Sequence, residues 1–570
     1  MKDMSDQVRG LVFVAVALLI IVIWSHFYKP PEPPPQQKPA PTTRQAPVTS
    51  NAPTTPASAR APASTPVVKA AEEKIIVVES PLYVVELSNH GGVVRSWKLK
   101  KYLDDQKPPH PLDLVFPDVA QQFGWPFSLM LSDSQAEEQA NSSLYKLEVT
   151  GLRGGPPALD QARFDAPATV TFLYSDGHLE VTKKIKFDTN YEISVETSVT
   201  LDGKPLSAAI AWRGGFGDRA VYQAAQLVSV FYKQGGKLNV MQYKKLGVDK
   251  NQSQPKLQPG PMEFLGIEDQ FFTASFLPDG TDLSLWDWVQ QRNTGTADKP
   301  ESQPVAEMAA GTMNPAPLKM RAYIGPKDLA LLSKVQPSLE ELVQFGWFSF
   351  IAKPLLFVLQ WIHRYIPNYG WAIVVFTLVL TMAMLPIRIW TFHSARKMQL
   401  VAPEVKAIQD RYKKYSMSDP RKRKMQEEIM AVYQREGVNP MGSCLPMLVQ
   451  IPILFAFYRM LAGAIELRHA PWFGWIHDLS AKDPYYILPI LMVITTYLMT
   501  KMTPTPATTD PAQQKMMMLM PLFMGFIFFN LSSGLNLYYF ASNLIGVVQQ
   551  WYLNRAEPLP SRSKFKNKKE

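Results

Sequence analysis

At 570 residues the chain carries roughly three or four domains' worth of sequence. Its 19% charged and 46% apolar residues are unevenly spread, with the apolar ones crowded near the N-terminus and after residue 345, which excludes a simple soluble enzyme. The net charge of +10 sits in patches, and a single cysteine, Cys444, excludes a disulfide framework and any multi-cysteine metal site.

Residues 11–23 read LVFVAVALLIIVI, behind Lys2 and Arg9 and ahead of Trp24, Phe27 and Tyr28. A signal peptide needs a small-x-small cleavage site close behind, and this segment has none. The expectation is a transmembrane anchor over 1–28, its N-terminus held in the cytoplasm by Lys2 and Arg9. Residues 29–72 follow, with twelve prolines between Pro30 and Pro66. Such a composition cannot bury a core and reads as an extended linker.

Over 73–337 the texture changes to short β-branched and aromatic runs, among them Lys74–Glu79, Leu82–Leu87, Ala168–Tyr174, Leu179–Phe187 and Tyr191–Leu201. Asn89-His90-Gly91-Gly92, Asp176-Gly177 and Asp202-Gly203 mark turns between them. Alternation at period two predicts an antiparallel β-sandwich. His90, His110 and His178 are isolated and read as surface or turn residues. Arg213-Gly214-Gly215-Phe216-Gly217 follows a strand, but no phosphate-binding helix pattern follows it, so it reads as a turn.

Residues 338–367 are amphipathic and aromatic, interrupted by Lys353, His363 and Arg364, and predict an interfacial helix. Spans are expected over 369–389, 441–465 and 485–502. The last apolar stretch, Met516–Leu553, holds 38 residues where one span needs only ~20. It breaks at Ser532-Ser533-Gly534, which suggests two further spans over 516–531 and 535–553. Charge supports two crossings. Arg388–Gly437 holds 12 Lys/Arg against 6 Asp/Glu and the tail Asn554–Glu570 holds 6 against 2, so both belong on the cytoplasmic side. The fold class is a multi-domain membrane protein: an N-terminal anchor, an external β-sandwich and an α-helical core of five spans, with both termini in the cytoplasm.

Within the cytoplasmic loop, 391–437 reads as a helical hairpin turning at Ser416–Pro420, with Asp419 an N-cap and Pro420 the first helical residue. Arg421, Lys422, Arg423 and Lys424 open its second arm. With Lys564, Lys566, Lys568 and Lys569 of the basic tail over 556–570, they form a docking surface for a polyanion or cytosolic partner, or a solvated positive-inside loop. Polar groups inside spans point to a groove. Arg459 and Gln450 lie in the second core span, Thr377 and Thr381 one turn apart in the first, and Arg388 just beyond it. Interfacial anchoring of Arg388, snorkelling of Arg459 and back-bonding of the threonines are the plainer readings. No span contains an Asp/Glu pair, and no catalytic, metal or cofactor constellation appears.

Val438-Asn439-Pro440-Met441-Gly442-Ser443-Cys444-Leu445-Pro446 with Gln450-Ile451-Pro452-Ile453 closely resembles the YidC-type membrane protein insertases. So do Trp475–Ser480, Asp483–Pro489, Asp510-Pro511 with Gln513-Gln514-Lys515, and Ser533-Gly534-Leu535 with Tyr538-Tyr539 and Ser542-Asn543. The resemblance runs through about 340–555, and the anchor and β domain look like the form of double-membrane bacteria. It implies insertion and folding of nascent membrane proteins in the inner membrane, alone or beside the Sec translocon. It implies a hydrophilic groove, with Tyr538 and Tyr539 beside the residues named above. It further implies a basic hairpin and tail that receive ribosome, targeting factor or anionic lipid, and a monomer without cofactor. One departure concerns the groove arginine, which the family carries five residues before the proline of the first core span. That position is Thr381, before Pro386. Arg459 is the favoured replacement, with Arg388 at the cytoplasmic mouth. Ser532 also departs from members with proline there. A channel or transporter is the alternative, and a membrane enzyme a more distant one.

Overall fold

Strand Leu179–Phe187 shows how the sequence builds the β unit. Leu179, Val181, Ile185 and Phe187 alternate inward, while Lys184 and Lys186 face water. The inward set has one charged member, Lys183, which is fully buried. The computed structural model describes residues 66–153, 162–220, 227–242, 246, 254–294, 302–415, 419–437, 445–503 and 511–556. The anchor, nearly all of the linker, the Val438–Cys444 motif and the tail with Lys564, Lys566, Lys568 and Lys569 lie outside them. The described residues divide into two units, one within 66–353 with 459–468 and the other within 354–458 with 469–556.

The β unit holds a fourteen-stranded sheet and a five-stranded sheet. Pairing is antiparallel, as the alternation predicts, except that Ile75–Glu79 runs parallel to the start of Ala162–Ser175. That parallel pair needs a long crossover, which local alternation cannot reveal. Trp97 of the large sheet stacks on Phe127, which meets Trp212 of the small sheet edge-on at 6.2 Å. These rings form the heart of the core. The Arg213–Gly217 segment is a turn, as expected. A side chain at Gly217 (φ +104°) would strike the carboxylate of Asp269. His178 is exposed and bonds Asp202 at 2.8 Å, and His110 is likewise exposed.

Two buried charge clusters stabilise this unit. The Lys183 ammonium donates to the carbonyls of Phe127 (2.7 Å), Gly92 (2.8 Å) and Gly91 (3.3 Å), and burial pushes it down to about 7. Arg468, just past the 459–463 turn of a helix, donates to Asp218 and to the Leu103 carbonyl, each at 2.7 Å. Asp269 lies beside Asp218 and accepts from three backbone N–H groups; burial pushes it up to about 6.

From residue 349 onward the described α-helices are α1 (Ser349–Tyr365), α2 (Tyr369–Ala383), α3 (Leu385–Arg411), α4 (Arg421–Arg435), α5 (Leu445–Gly463), α6 (Ile487–Met502), α7 (Pro511–Phe528) and α8 (Ser533–Ala556). On α1, Ala352, Leu356, Leu359 and Ile362 are buried while Phe350, Phe357 and Trp361 are exposed. The exposed ring face suits a membrane interface. The single helix expected over 369–389 is broken, and α2 and α3 meet at 54°. Pro386 falls in the first turn of α3, where its missing N–H costs nothing, and the chain bends just before it. No single described helix is both long and apolar enough to cross a membrane; by length and composition this bent pair is. The 516–553 stretch forms two helices, α7 and α8, separated at Phe529–Ser532.

α3 and α4 close the hairpin around Met398, Val401, Val405, Ile408, Ile429, Val432 and Tyr433. The second arm spans Arg421–Arg435, as expected, with Pro420 at its N-cap position and not its first helical residue. Asp419 accepts the Arg421 N–H at 2.9 Å and grips its guanidinium, which also lies 3.8 Å from the Tyr415 ring centre. Lys422, Arg423 and Lys424 follow, with the last two exposed.

Candidate substrate groove

One loop gathers three helix N-termini. Asn368 caps α2 by accepting the Trp371 N–H at 3.1 Å, and its amide donates to the Trp472 carbonyl. Asp483 is 1% exposed; it accepts from Leu488 N at 2.7 Å, Tyr485 N at 3.0 Å and Trp475 Nε1 at 3.0 Å, which starts α6. Ser533 and Gly534 at the start of α8 donate to the carbonyls of Ala481 and Leu479. Gly370 lets Trp472 lie flat against α2, since a Cβ there would meet the indole at 2.1 Å. Ile476 and Leu479 of the same loop are buried, so the 469–486 loop packs apolar side chains at this end of the helices.

Beyond this loop, α8 packs on α2 and α6, and α6 on α7. The threonines sit on the buried face of α2 and bond their own helix. Thr377 donates to the Ile373 carbonyl at 2.6 Å and Thr381 to that of Thr377 at 2.7 Å. Back-bonding is therefore what the structure gives them. Tyr538 is buried, bonds the side chain of Gln450 and lies 4.0 Å from the Phe457 ring. Tyr539 packs edge-on to Phe528. Asn543 donates to Thr496 at 2.7 Å, which links α8 to α6 by side chains.

Towards the far end of α8 the polar character grows. Arg388, in the first turn of α3, donates to Gln549 Oε1 at 3.0 Å. Gly546 makes room for it, because a Cβ there would sit 2.8 Å from the guanidinium. Arg396, two turns on, donates to Asn554 Oδ1, which Gln550 also reaches, while the Asn554 amide donates to the Met502 carbonyl. Among the described residues neither arginine has a carboxylate partner. The helical unit thus holds a polar track from Gln450 and Tyr538 to Arg388, Gln549 and Asn554, capped by an apolar loop at its other end. Arg459 is placed differently: it is exposed in the last turn of α5, in the stretch that falls within the β unit.

Residues 75–358 match the family described as YidC periplasmic domain, and 361–560 match 60Kd inner membrane protein. A membrane protein insertase YidC of Wolinella succinogenes is 32% identical over 96% of this chain and 95% of its own length. The chain belongs to the YidC family of membrane protein insertases. YidC insertases of Syntrophus aciditrophicus (32% identical, 86% of each chain) and Campylobacter jejuni (29%, 97% of each) agree. The family assigns membrane protein insertion as the activity, an inner-membrane location and a periplasmic β domain.

In this YidC chain the motif residues Trp475–Asp483 and Ser533-Gly534 tie the starts of α6 and α8 together. Gln549, Gln550, Asn554 and Arg396 were not singled out from sequence. Their signal is the spacing of Ser542, Gly546, Gln549 and Gln550, which puts small and polar residues on one face of an otherwise apolar helix.

Proposed function

We propose that the track from Gln450 to Asn554 is a hydrophilic groove that takes the polar end of an incoming membrane protein, with Arg388 as its charge. The observation that carries this is a guanidinium whose hydrogen-bond partner among the described residues is a neutral amide, Gln549, in an apolar helical unit. A carboxylate from the substrate would complete it. Thr377, Thr381, Tyr538 and Tyr539 supply a polar or aromatic wall. The substrate's polar tail crosses part of the bilayer among these groups, and burial of its apolar segment in lipid drives the step. No nucleotide is needed. Proteoliposome insertion of acidic-tailed and neutral-tailed single-span substrates tests the reading, with solute flux measured alongside to exclude a channel. Action alone or beside the Sec translocon, and a folding role, belong to the same proposal.

The topology proposed is six crossings with both termini cytoplasmic. A chain lacking Cys444 and carrying Ser207→Cys should be labelled from outside spheroplasts, and one carrying Ser563→Cys should not. A labelled Ser563→Cys overturns the two crossings by α7 and α8.

The exposed Arg423 and Lys424 with the basic tail receive ribosomal RNA, a targeting factor or anionic lipid. Binding to ribosomes should fall by about tenfold or more between low and high salt, as counterion release requires. Salt-independent binding removes the electrostatic role.

A further inference from the structure

The end of the track where α8 terminates has more donors than acceptors. Arg396 Nε and Gln549 Nε2 are buried and donate to nothing among the described residues. An orphaned buried donor is costly, so two of them, one on Arg396 itself, in a site with a second arginine and no carboxylate among the described residues mark a place built for an acceptor-rich group. The deeper pair is Arg388–Gln549 and the shallower is Arg396–Asn554. Five residues of helix separate Gln549 from Asn554, about 7.5 Å along α8. Lys501, exposed, precedes the Met502 carbonyl that Asn554 holds, and Arg555 follows Asn554.

The surroundings choose between sources of the acceptor. Trp390 on α3 and Trp551 and Tyr552 on α8 are exposed, and Arg555 lies over Trp551 at 5.5 Å. Exposed Trp and Tyr flanked by arginine mark the depth where acyl chains give way to headgroups. At that depth the available acceptor is a phosphodiester with its ester carbonyls, which spans a distance of this size. We infer that Arg396, Gln549 and Asn554, with Arg388 behind them, bind the headgroup of an anionic phospholipid between α3 and α8. The lipid satisfies the two orphaned donors and neutralises the arginine pair while no substrate is present. A substrate carboxylate reaching Arg388 then exchanges one anion for another and need not strip a bare guanidinium of water.

The inference rests on the reading of Arg388 as a groove charge only for that last step; lipid binding itself is read without insertion. The full chain, purified in detergent, is titrated with phosphatidylglycerol or phosphatidylcholine and followed by native mass spectrometry, with inorganic phosphate as competitor. Phosphatidylglycerol should bind at least tenfold more tightly than phosphatidylcholine, and millimolar phosphate should not displace it. Arg396→Gln should lose about tenfold in that affinity, and Arg396→Lys should lose less. Gln549→Glu is the decisive variant, because it keeps the acceptor for Arg388 and puts a carboxylate where the orphaned donor was. It should abolish the preference for phosphatidylglycerol and raise the melting temperature of the lipid-free protein. Equal binding of the two lipids, displacement by phosphate, or unchanged selectivity in Gln549→Glu each overturns the site. Normal lipid binding together with tail-independent insertion would instead overturn the groove reading and leave the lipid site standing.

Discussion

Arg388→Ala should lower insertion of acidic-tailed substrates about tenfold while neutral-tailed ones change by less than about twofold. A charge pair at about 4 Å is worth ~4 kcal/mol at an effective dielectric of 20, and desolvation offsets part of it. A net ~1.4 kcal/mol gives the tenfold ratio. Gly546→Val should imitate the effect without touching the charge, since its Cβ falls 2.8 Å from the guanidinium and displaces it. Arg459→Ala should have the smaller effect, because that side chain is exposed at the end of α5. Thr381→Arg in the Arg388→Ala background should restore part of the activity by returning a cation to the same wall. If Arg459→Ala is the more damaging of the two, Arg388 is not the groove charge.

What could be read without coordinates divides along physical lines. The strand Leu179–Phe187 was legible to the residue, because burial on one face imposes period two. Helix texture was legible in kind, but the bend before Pro386 was not, because the proline looked like the end of one span and not the first turn of another helix. A missing N–H fits both positions, and only tertiary packing decides. The groove was half legible. Gln450 stood out as a polar residue in an apolar helix and Tyr538 through the family motif, and the structure joins them. Arg459 was favoured over Arg388 by its distance along the second core span, yet it is exposed, whereas Arg388 faces Gly546 and Gln549 of α8. Gln549 and Asn554 were hidden because amides near the end of a hydrophobic stretch look like an ordinary membrane boundary. Lys183 was invisible, since a lysine on an alternating strand is expected to face water.

Stability of the β unit should pass through a minimum near pH 7, and Lys183→Met should remove the rise on its alkaline side while the fall on its acid side keeps its slope. The sign follows from the direction of each shift. Lys183 is pushed down to about 7 from 10.5, so between those values the unfolded chain holds a proton that the folded one lacks. Stability therefore rises with pH across that window, by ~1.4 kcal/mol per unit for this one group, and is flat with respect to it below 7. The buried carboxylates act in the opposite direction. Asp269 is pushed up to about 6 from 3.8 and Glu307 to about 7 from 4.5 by burial. Between those values the folded state binds the extra proton, so stability falls as pH rises towards 7. Hydrogen exchange of the Leu179–Phe187 strand in the full chain, corrected for the intrinsic pH dependence of amide exchange, reads both limbs. Lys183→Met should also lower the whole curve, because the carbonyls of Gly91, Gly92 and Phe127 lose their donor at ~1–3 kcal/mol for each group left unsatisfied. The level therefore reports the hydrogen bonds and the slope reports the buried ammonium. A wild-type curve that is flat from pH 7 to 10 would mean that Lys183 stays charged among its three carbonyls.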